Sequence, residues 1–515
     1  MPAESLQRVK ILEGVAIFIL LIACINFINL TTALGSQRAK EIGVKKVFGG
    51  ERKQLIIQFL CESVLYALFA ALIGLSLAFA FEPSFQNILE QSLKLKELFT
   101  PNHIVAFVLF PVFLGLLSGV YPAVVMSNYR PAKILKGAGI EGFKNKKMRD
   151  SLVVVQFAIS IFLIVCSLMF YKQMNFMVKS DVGFTKESML ILKNVSKLGQ
   201  SLDAMKTEIS KILAVQSVSA SREIPTSEYQ VLVGQPEGSE QSQTFAYYMA
   251  DEDFIKTYGL QITQGRDFAP GTSSDSSGAV LVNESLVREL QLDNPIGRNI
   301  DSRRKTPIVG IIKDFHFEKL NTRIQPLAIF YQKNTQFLDF LTVRFTSTNL
   351  PELITNLENT WKKVAGNIPF EYEFLDDRLT HQYQQERSFY QTTMIFTIVS
   401  IVISSLGLIG LITFAIKKKE KEISIRKVLG SSVAEIQFLF AQDLMKLIAL
   451  ASFISIPVSA WFINDWLKGF DYRVSIDPIV FIAAISLMSI ITALSVLHFT
   501  LKAAFVNPIR ALKNE

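Results

Sequence analysis

Long apolar runs joined by short polar loops make up both ends of this chain, and a middle region of shorter, alternating runs separates them. A helix needs about 20 residues to cross a hydrocarbon core. Seven stretches are long enough: Gly14–Leu34, Ile56–Phe81, Ile104–Met126, Leu152–Tyr171, Thr392–Ile416, Leu444–Ile463 and Pro478–Thr500. Between the fourth and fifth the period changes. Met189–Leu192, Val280–Val282, Pro307–Ile312, Leu327–Tyr331, Leu341–Phe345 and Phe370–Leu375 read as strands. Leu202–Leu213, Glu252–Tyr258, Glu284–Leu290 and Pro351–Val364 read as helices, Pro351 being suited to a first helical turn. Gly271–Gly278 has the composition of a surface loop. The pattern predicts a polytopic α-helical membrane protein of about seven transmembrane helices carrying an inserted α+β domain.

Composition sharpens this reading. At roughly 150 residues per domain, 515 residues would make about three units. Half are hydrophobic, Phe contributes 40, mean hydropathy is +0.32 and only 19% are charged, against roughly 25% in soluble domains. A disordered chain is excluded, and a single soluble domain is argued against. Of the net charge of +8, Lys172–Tyr390 carries −3 from 24 basic and 27 acidic residues, leaving +11 on the hydrophobic portion. Loops held at the cytoplasmic face of a bilayer explain that bias better than nucleic-acid binding does. Gln37–Leu55, Ser127–Ser151 and Lys417–Glu435 are basic and belong inside; Glu82–His103 and Asn464–Asp477, each near −1, belong outside. One alternating topology satisfies every loop. It puts residues 172–391 and the N-terminus outside and the C-terminus inside, so either the first helix inserts unaided or an upstream crossing is missing. Cys24, Cys61 and Cys166 lie in or beside apolar runs, and His103, His316, His381 and His498 are scattered, so neither disulfides nor a metal site are expected.

Residues 38–50 (R-A-K-E-I-G-V-K-K-V-F-G-G) and 419–431 (K-E-K-E-I-S-I-R-K-V-L-G-S) are copies at an offset of 381, identical at Lys40/Lys421, Glu41/Glu422, Ile42/Ile423, Lys46/Lys427, Val47/Val428 and Gly49/Gly430. A second echo relates Arg130–Lys136 to Asn507–Lys513. The membrane part is thus two three-helix units in parallel orientation, since both basic blocks lie inside. Each block reads as a short cytoplasmic helix ended by a glycine. A basic turn facing lipid headgroups would satisfy the charge bias alone. Retention of an acid, Glu41 and Glu422, in both copies favours a docking element for a cytoplasmic partner.

With I-N-F-I-N-L-T-T-A (25–33), Q-F-L-C-E-S (58–63) and N-P-I-R-A-L-K (507–513), these blocks resemble the FtsX-like, MacB-type permeases of ABC transporters, in the large bacterial form with two permease units. V-N-E-S-L (282–286), N-P-I-G-R (294–298), I-V-G-I-I-K-D-F-H-F (308–317) and F-L-D-D-R (374–378) look like that family's periplasmic core domain. The resemblance implies an extracytoplasmic remnant (1–13), a first permease unit (14–136), a cytoplasmic linker (137–151), a transmembrane helix (152–171), a periplasmic core domain (172–391) and a second permease unit (392–515), in the bacterial inner membrane. Family members place a periplasmic domain between the first and second helices of each four-helix unit, whereas this sequence starts at what looks like the second helix.

Such permeases act as levers moved by a cytoplasmic ABC ATPase, expected as a dimer that binds ATP and Mg. This chain has no G-x-x-x-x-G-K-S/T loop and no L-S-G-G-Q signature, so no cofactor of its own is expected and hydrolysis is assigned to the partner. The residues expected to couple the two are Arg38, Lys40, Glu41, Ile42, Lys45, Lys46, Val47 and Gly49, with Lys421, Glu422, Ile423, Arg426, Lys427, Val428 and Gly430 in the second copy. Charges would set register and on-rate, and Ile42, Val47, Ile423 and Val428 the buried contact. Two functions fit: export or extraction of an amphiphilic or peptidic substrate, with a periplasmic adaptor, or a scaffold that moves no solute and regulates a partner such as a cell-wall hydrolase. A membrane-anchored enzyme is disfavoured, because Asp314-Phe315-His316-Phe317 has no Ser, Cys or second His placed beside it. Glu62 and Asp443, at matching repeat positions, suit snorkelling or ion pairs with nearby lysines better than a proton relay. Asn26 and Asn29 should share a face and bond across helices. Gly115-x-x-x-Gly119 should allow close packing, within the chain or between copies.

Overall fold

The computed structural model describes residues 3–35, 38–89, 95–128, 146–225, 229–237, 242–269, 278–291, 293–301, 306–334, 337–418, 422, 425–426, 429 and 431–504. They form two compact units, one helical, drawn from 1–174, 385–467 and 475–515, and one built on a sheet, drawn from 175–384 and 468–474.

Among the described residues seven helices are long and apolar enough to cross a membrane. Four come first: α1 (Ala3–Gly35), α3 (Arg52–Leu89), α4 (Pro101–Ser127) and α5 (Lys146–Lys179), with the short α2 (Ala39–Val47) between α1 and α3. Residues 3–13, expected as part of an extracytoplasmic remnant, are helical and continuous with the first span in α1. No helix breaker stands between Ala3 and Gly14, so nothing stops the helix from extending. The other echo, Arg130–Lys136 and Asn507–Lys513, lies outside the described residues. The glycine pair of α4 is used within the chain: a Cβ on Gly115 would lie 2.7 Å from Val64 Cα, and one on Gly119 would lie 2.6 Å from Ser63 Oγ.

Among the described residues of the sheet unit, ten strands line up as β10-β1-β9-β2-β4-β8-β6-β7-β5, with β3 on the free part of one edge of β4. The strands are β1 (Met189–Lys193), β2 (Val215–Ser221), β3 (Gln230–Gly234), β4 (Gln243–Ala250), β5 (Ile262–Gly265), β6 (Val280–Asn283), β7 (Ile308–Ile312), β8 (Leu327–Tyr331), β9 (Phe340–Phe345) and β10 (Tyr372–Phe374). Helices α6 (Leu202–Ser210), α7 (Phe254–Tyr258), α8 (Glu284–Leu290), α9 (Leu350–Ala365) and α10 (Leu375–Gln382) fall between them. Asn349 caps α9, Pro351 sits in its first turn, and Leu353, Leu357 and Trp361 bury one stripe beside Leu202, Met205 and Ile209 of α6. A second core gathers Leu286 of α8 with β6, β7 and β8.

The two cores belong to two lobes, because β2 and β4 meet at a single residue pair, Ser221 and Ala250. Asp251 reinforces that seam. Its carboxylate accepts from Ala220 N–H at 2.6 Å and Ser219 Oγ at 2.7 Å, and pairs with Lys206 of α6, which also reaches Asp253. Burial opposes the Lys206 charge, but the two carboxylates outweigh it and raise its pKa.

Three further spanning helices complete the helical unit: α11 (Gln384–Lys418), α12 (Val433–Leu467) and α13 (Pro478–Ala504). Arg8 of α1 pairs with Glu386 of α11 at 2.8 Å. The α1, α5 and α11 seam is polar at intervals. Gln156 donates to Ser404 O (3.0 Å), Ser160 and Ser404 share a hydrogen bond (2.8 Å), as do Ser167 and Thr397 (2.6 Å), and Asn26 donates to Ile403 O (3.3 Å). A Cβ on Gly407 would lie 2.5 Å from Asn26 Oδ1, so glycine is what lets that amide in. The segment 468–474, which joins α12 to α13, belongs to the sheet unit: Asp471 donates its N–H to Asn321 O and accepts from Arg323 N–H, at 3.1 and 3.0 Å. Tyr472 meets the His316 ring edge-on at 4.6 Å.

Candidate functional site

The nine residues of α2 end where the chain needs a left-handed residue, and Gly49 supplies it with φ of +91°. Phe48 N–H reaches Val44 O at 3.1 Å and Gly50 N–H reaches Lys45 O at 2.9 Å, closing the last turn. A helix this short is marginal by itself and needs anchors. Ile42 provides one: it is 2% exposed, packed among Leu55 and Phe59 of α3 and Ala123 and Met126 of α4. Lys46 provides another, donating to Ser127 O at 2.6 Å, among the unpaired carbonyls that end α4. Arg38 pairs with Glu62 of α3 at 2.7 Å and lies over the Phe59 ring, and that hydrogen bond raises the Arg38 pKa. Glu62 is thus the acceptor of an ion pair with Arg38, not with a lysine.

What α2 turns outward is different. Lys45 bridges Glu41 at 2.9 Å and Gln58 at 3.3 Å, a hydrogen bond that lowers the Glu41 pKa. Beside this pair Val44 and Phe48 are 45% and 87% exposed, and Val47 is exposed too. Ile42, expected in a partner contact, is instead used by the chain's own core. The Lys40 side chain lies outside the described residues.

The second copy repeats this outward face. Glu422 and Arg426 pair at 2.8 Å, matching Glu41 and Lys45 at the offset of 381. Leu429 N–H reaches Ile425 O at 3.0 Å and Ser431 N–H reaches Arg426 O at 2.9 Å, the same closing bonds as in α2. Ile425 and Leu429 are 52% and 79% exposed, at the positions of Val44 and Phe48. Lys421, Ile423, Lys427, Val428 and Gly430 lie outside the described residues. Neither Val44/Ile425 nor Phe48/Leu429 is an identity, so counting identical residues passes over both. Conserved apolar character at matched positions was the available signal.

Two family descriptions match the chain: "FtsX-like permease C-terminal" over residues 14–131 and 394–508, and "MacB-like periplasmic core domain" over 152–359. The chain belongs to the FtsX-like, MacB-type permeases. The macrolide export ATP-binding/permease protein MacB of Bdellovibrio bacteriovorus is 26% identical to this permease over 126 residues, covering 24% of this chain and 19% of that protein. MacB of Agrobacterium fabrum is 29% identical over 125 residues, with the same coverage. The uncharacterized ABC transporter permease YknZ of Bacillus subtilis is 27% identical over 126 residues, 24% of this chain and 31% of that one. The chain therefore spans between about a fifth and a third of the length of these curated relatives. Among solved structures, the periplasmic region of MacB from Actinobacillus actinomycetemcomitans aligns with TM-score 0.28 and 18% identity over 39% of this chain and 94% of that one.

The motifs of the permease's sheet unit serve its architecture. Asn283 of V-N-E-S-L caps α8 through Leu286 N–H and also accepts from Leu327 N–H, both at 2.9 Å. Asp314 accepts from Ser285 N–H (2.9 Å) and Oγ (2.8 Å) and pairs with Arg288, so it is turned to the start of α8. Phe315 and Phe317 on either side of His316 are buried, and burial lowers the His316 pKa. Among the described residues no group of three or more His, Cys, Asp or Glu side chains could hold a metal ion.

Proposed function

We propose that this chain is the permease subunit of an ABC transporter, coupling ATP hydrolysis by a separate cytoplasmic ATPase to movement of the sheet unit, in order to export an amphiphilic or peptidic substrate or extract it from the membrane. The reading gives the chain an inner-membrane location, with α2 and its copy and the C-terminus in the cytoplasm and residues 172–391 in the periplasm. One observation carries it. Two segments 381 residues apart expose apolar side chains at the same two positions, one turn apart, Val44 and Phe48 in one and Ile425 and Leu429 in the other, beside an acid–base pair, Glu41 with Lys45 and Glu422 with Arg426. An exposed Phe or Leu ringed by charge is what a buried anchor with a polar rim requires. The segment 468–474 supports a mechanical role, since the loop that joins α12 to α13 is held by Asn321 and Arg323 of the sheet unit.

The test is co-purification and ATPase stimulation in lipid nanodiscs with the partner ATPase. Phe48→Asp with Leu429→Asp should abolish both, and Glu41→Lys with Glu422→Lys should weaken them, at unchanged membrane insertion. Full pull-down and stimulation by the Phe48/Leu429 double variant would refute the assignment. So would cysteine labelling that finds positions 46 and 427 on opposite sides of the membrane.

A further inference from the structure

The sheet unit holds a hollow that the coupling scheme leaves unused. β2 and β3 share one edge of β4 but leave it at different places: β2 is in register with it only at Ser221 and Ala250, and β3 pairs along it from Gln230 to Gly234. Where the two strands part there is an open hollow of about 530 Å³, lined by Arg222 and Glu223 after β2, Tyr229 before β3, Asp339 and Phe340 at the start of β9, and Arg378 of α10. Its volume lies within the range of small-molecule sites, and such sites favour the crevices between packed lobes.

Two guanidinium groups with unused donors line it, beside the carboxylates of Glu223 and Asp339 and the Gln230 amide. Among the described residues the Arg222 guanidinium makes no hydrogen bond, and its nearest carboxylate, Glu223 Oε1, stands off at 3.6 Å. Arg378 gives one nitrogen to Glu373, while its buried Nε has no hydrogen-bond partner among the described residues. Glu223 is 4% exposed and commits Oε2 to Met249 N–H at 3.0 Å. Asp339 is exposed, at the rim. The Tyr229 hydroxyl is engaged by Glu318, which leaves its ring, with that of Phe340, as apolar wall. Guanidinium groups present planar forks that match a carboxylate two bonds at a time.

We propose that this hollow binds a small carboxylate, held by Arg222 and Arg378, with its apolar part against Tyr229 and Phe340. The site carries its own pH response. Burial pushes the Glu223 carboxyl up to about 7, with Met249 N–H and Arg222 pulling it back and the Asp339 charge adding to the rise. The Tyr248 hydroxyl on β4 faces it as well, and Tyr229 and Arg378 line the same hollow. Below that pH a neutral Glu223 lets a ligand carboxylate take the guanidinium groups; above it, a second negative charge competes for them. Affinity therefore falls as pH rises through about 7.

The test uses the full chain in detergent micelles, titrated calorimetrically with N-acetylphenylalanine at pH 6 and pH 8.5, with phenyl phosphate and phenethylamine as comparison probes. Saturable binding of the carboxylate at pH 6, at least tenfold weaker at pH 8.5, is expected. E223Q should remove the pH difference. R222M should weaken binding at least tenfold at an unchanged melting temperature, since that side chain is one-third exposed and makes no hydrogen bond. Arg378→Met also strips Glu373 of a partner and is the less clean variant. A bound probe should shield Arg222 from phenylglyoxal, read by mass spectrometry. No saturation at millimolar carboxylate, tighter binding of the amine or the phosphate, or undiminished binding by R222M would each overturn the proposal.

Discussion

The two units of this chain bury opposite things. In the sheet unit, β6 and β7 are buried from end to end and carry Val, Leu, Ile, Gly and a capping Asn, while the buried Asp251 is matched by Lys206, which also reaches Asp253. In the helical unit, large apolar side chains such as Leu72, Ile73, Phe453 and Trp461 face outward, and the α1, α5 and α11 seam is stitched by Asn26, Gln156, Ser160, Ser167, Thr397 and Ser404. The difference follows from the solvent each unit is built for. In water, removal of apolar surface drives packing. In lipid that drive is absent between helices, so small residues, close contact and hydrogen bonds must hold them together.

If that contrast is right, deletions should cost much in the sheet unit and little in the helical one. Trp361→Ala removes the largest fully buried side chain and its hydrogen bond to Ile368 O, and should destabilise the sheet unit by about 3–5 kcal/mol, read by denaturant unfolding. Lys206→Met strips the buried Asp251 carboxylate of its cation at the lobe seam and should cost about 3 kcal/mol, with hydrogen exchange rising first along β2 and β4. Glu223 gives the sheet unit a pH slope. Its carboxyl resists ionisation in the folded state, so stability is greatest below about 4.5 and is lost as pH rises to about 7, by roughly 2–3 kcal/mol; melting of E223Q should be flat over that window. In the helical unit, Ser404→Val breaks the hydrogen bond with the Ser160 hydroxyl but leaves the backbone carbonyl that accepts from Gln156, and should cost only about 0.6–1.7 kcal/mol. Phe48→Ala should change stability by less than about 0.5 kcal/mol, because the ring touches little of its own chain, while ATPase stimulation falls. A large stability loss from Phe48→Ala, or a small one from Trp361→Ala, would break the comparison.

All seven spans were legible in the sequence, because length and hydropathy are properties of the residues themselves, and the observed helices extend them at one end or both. The strands read from apolar runs were found within a residue or two, apart from β10, which is shorter than its run. β2, β3, β4 and β5 were not read. In β2, V-Q-S-V-S-A-S is half polar, and it is a strand because β9 pairs with it along nearly its whole length. β5, I-T-Q-G, stands at the sheet edge and is held by β7. The attachment of 468–474 to the sheet unit could not be read either, since it depends on Asp471 meeting Asn321 and Arg323, some 150 positions away.

The repeated blocks at 38–50 and 419–431 show the division most clearly. The sequence alone determined that the block occurs twice, that each copy carries an acid and a base one turn apart and that Gly49 can end the first, because periodicity, capping and repetition are local properties of the chain. Only the tertiary structure decided that Ile42 turns inward and Phe48 outward, that Arg38 serves Glu62, and that Asp251 meets Lys206. A short helix offers several apolar positions at similar spacing. Which of them is buried depends on the neighbours that the rest of the fold brings alongside.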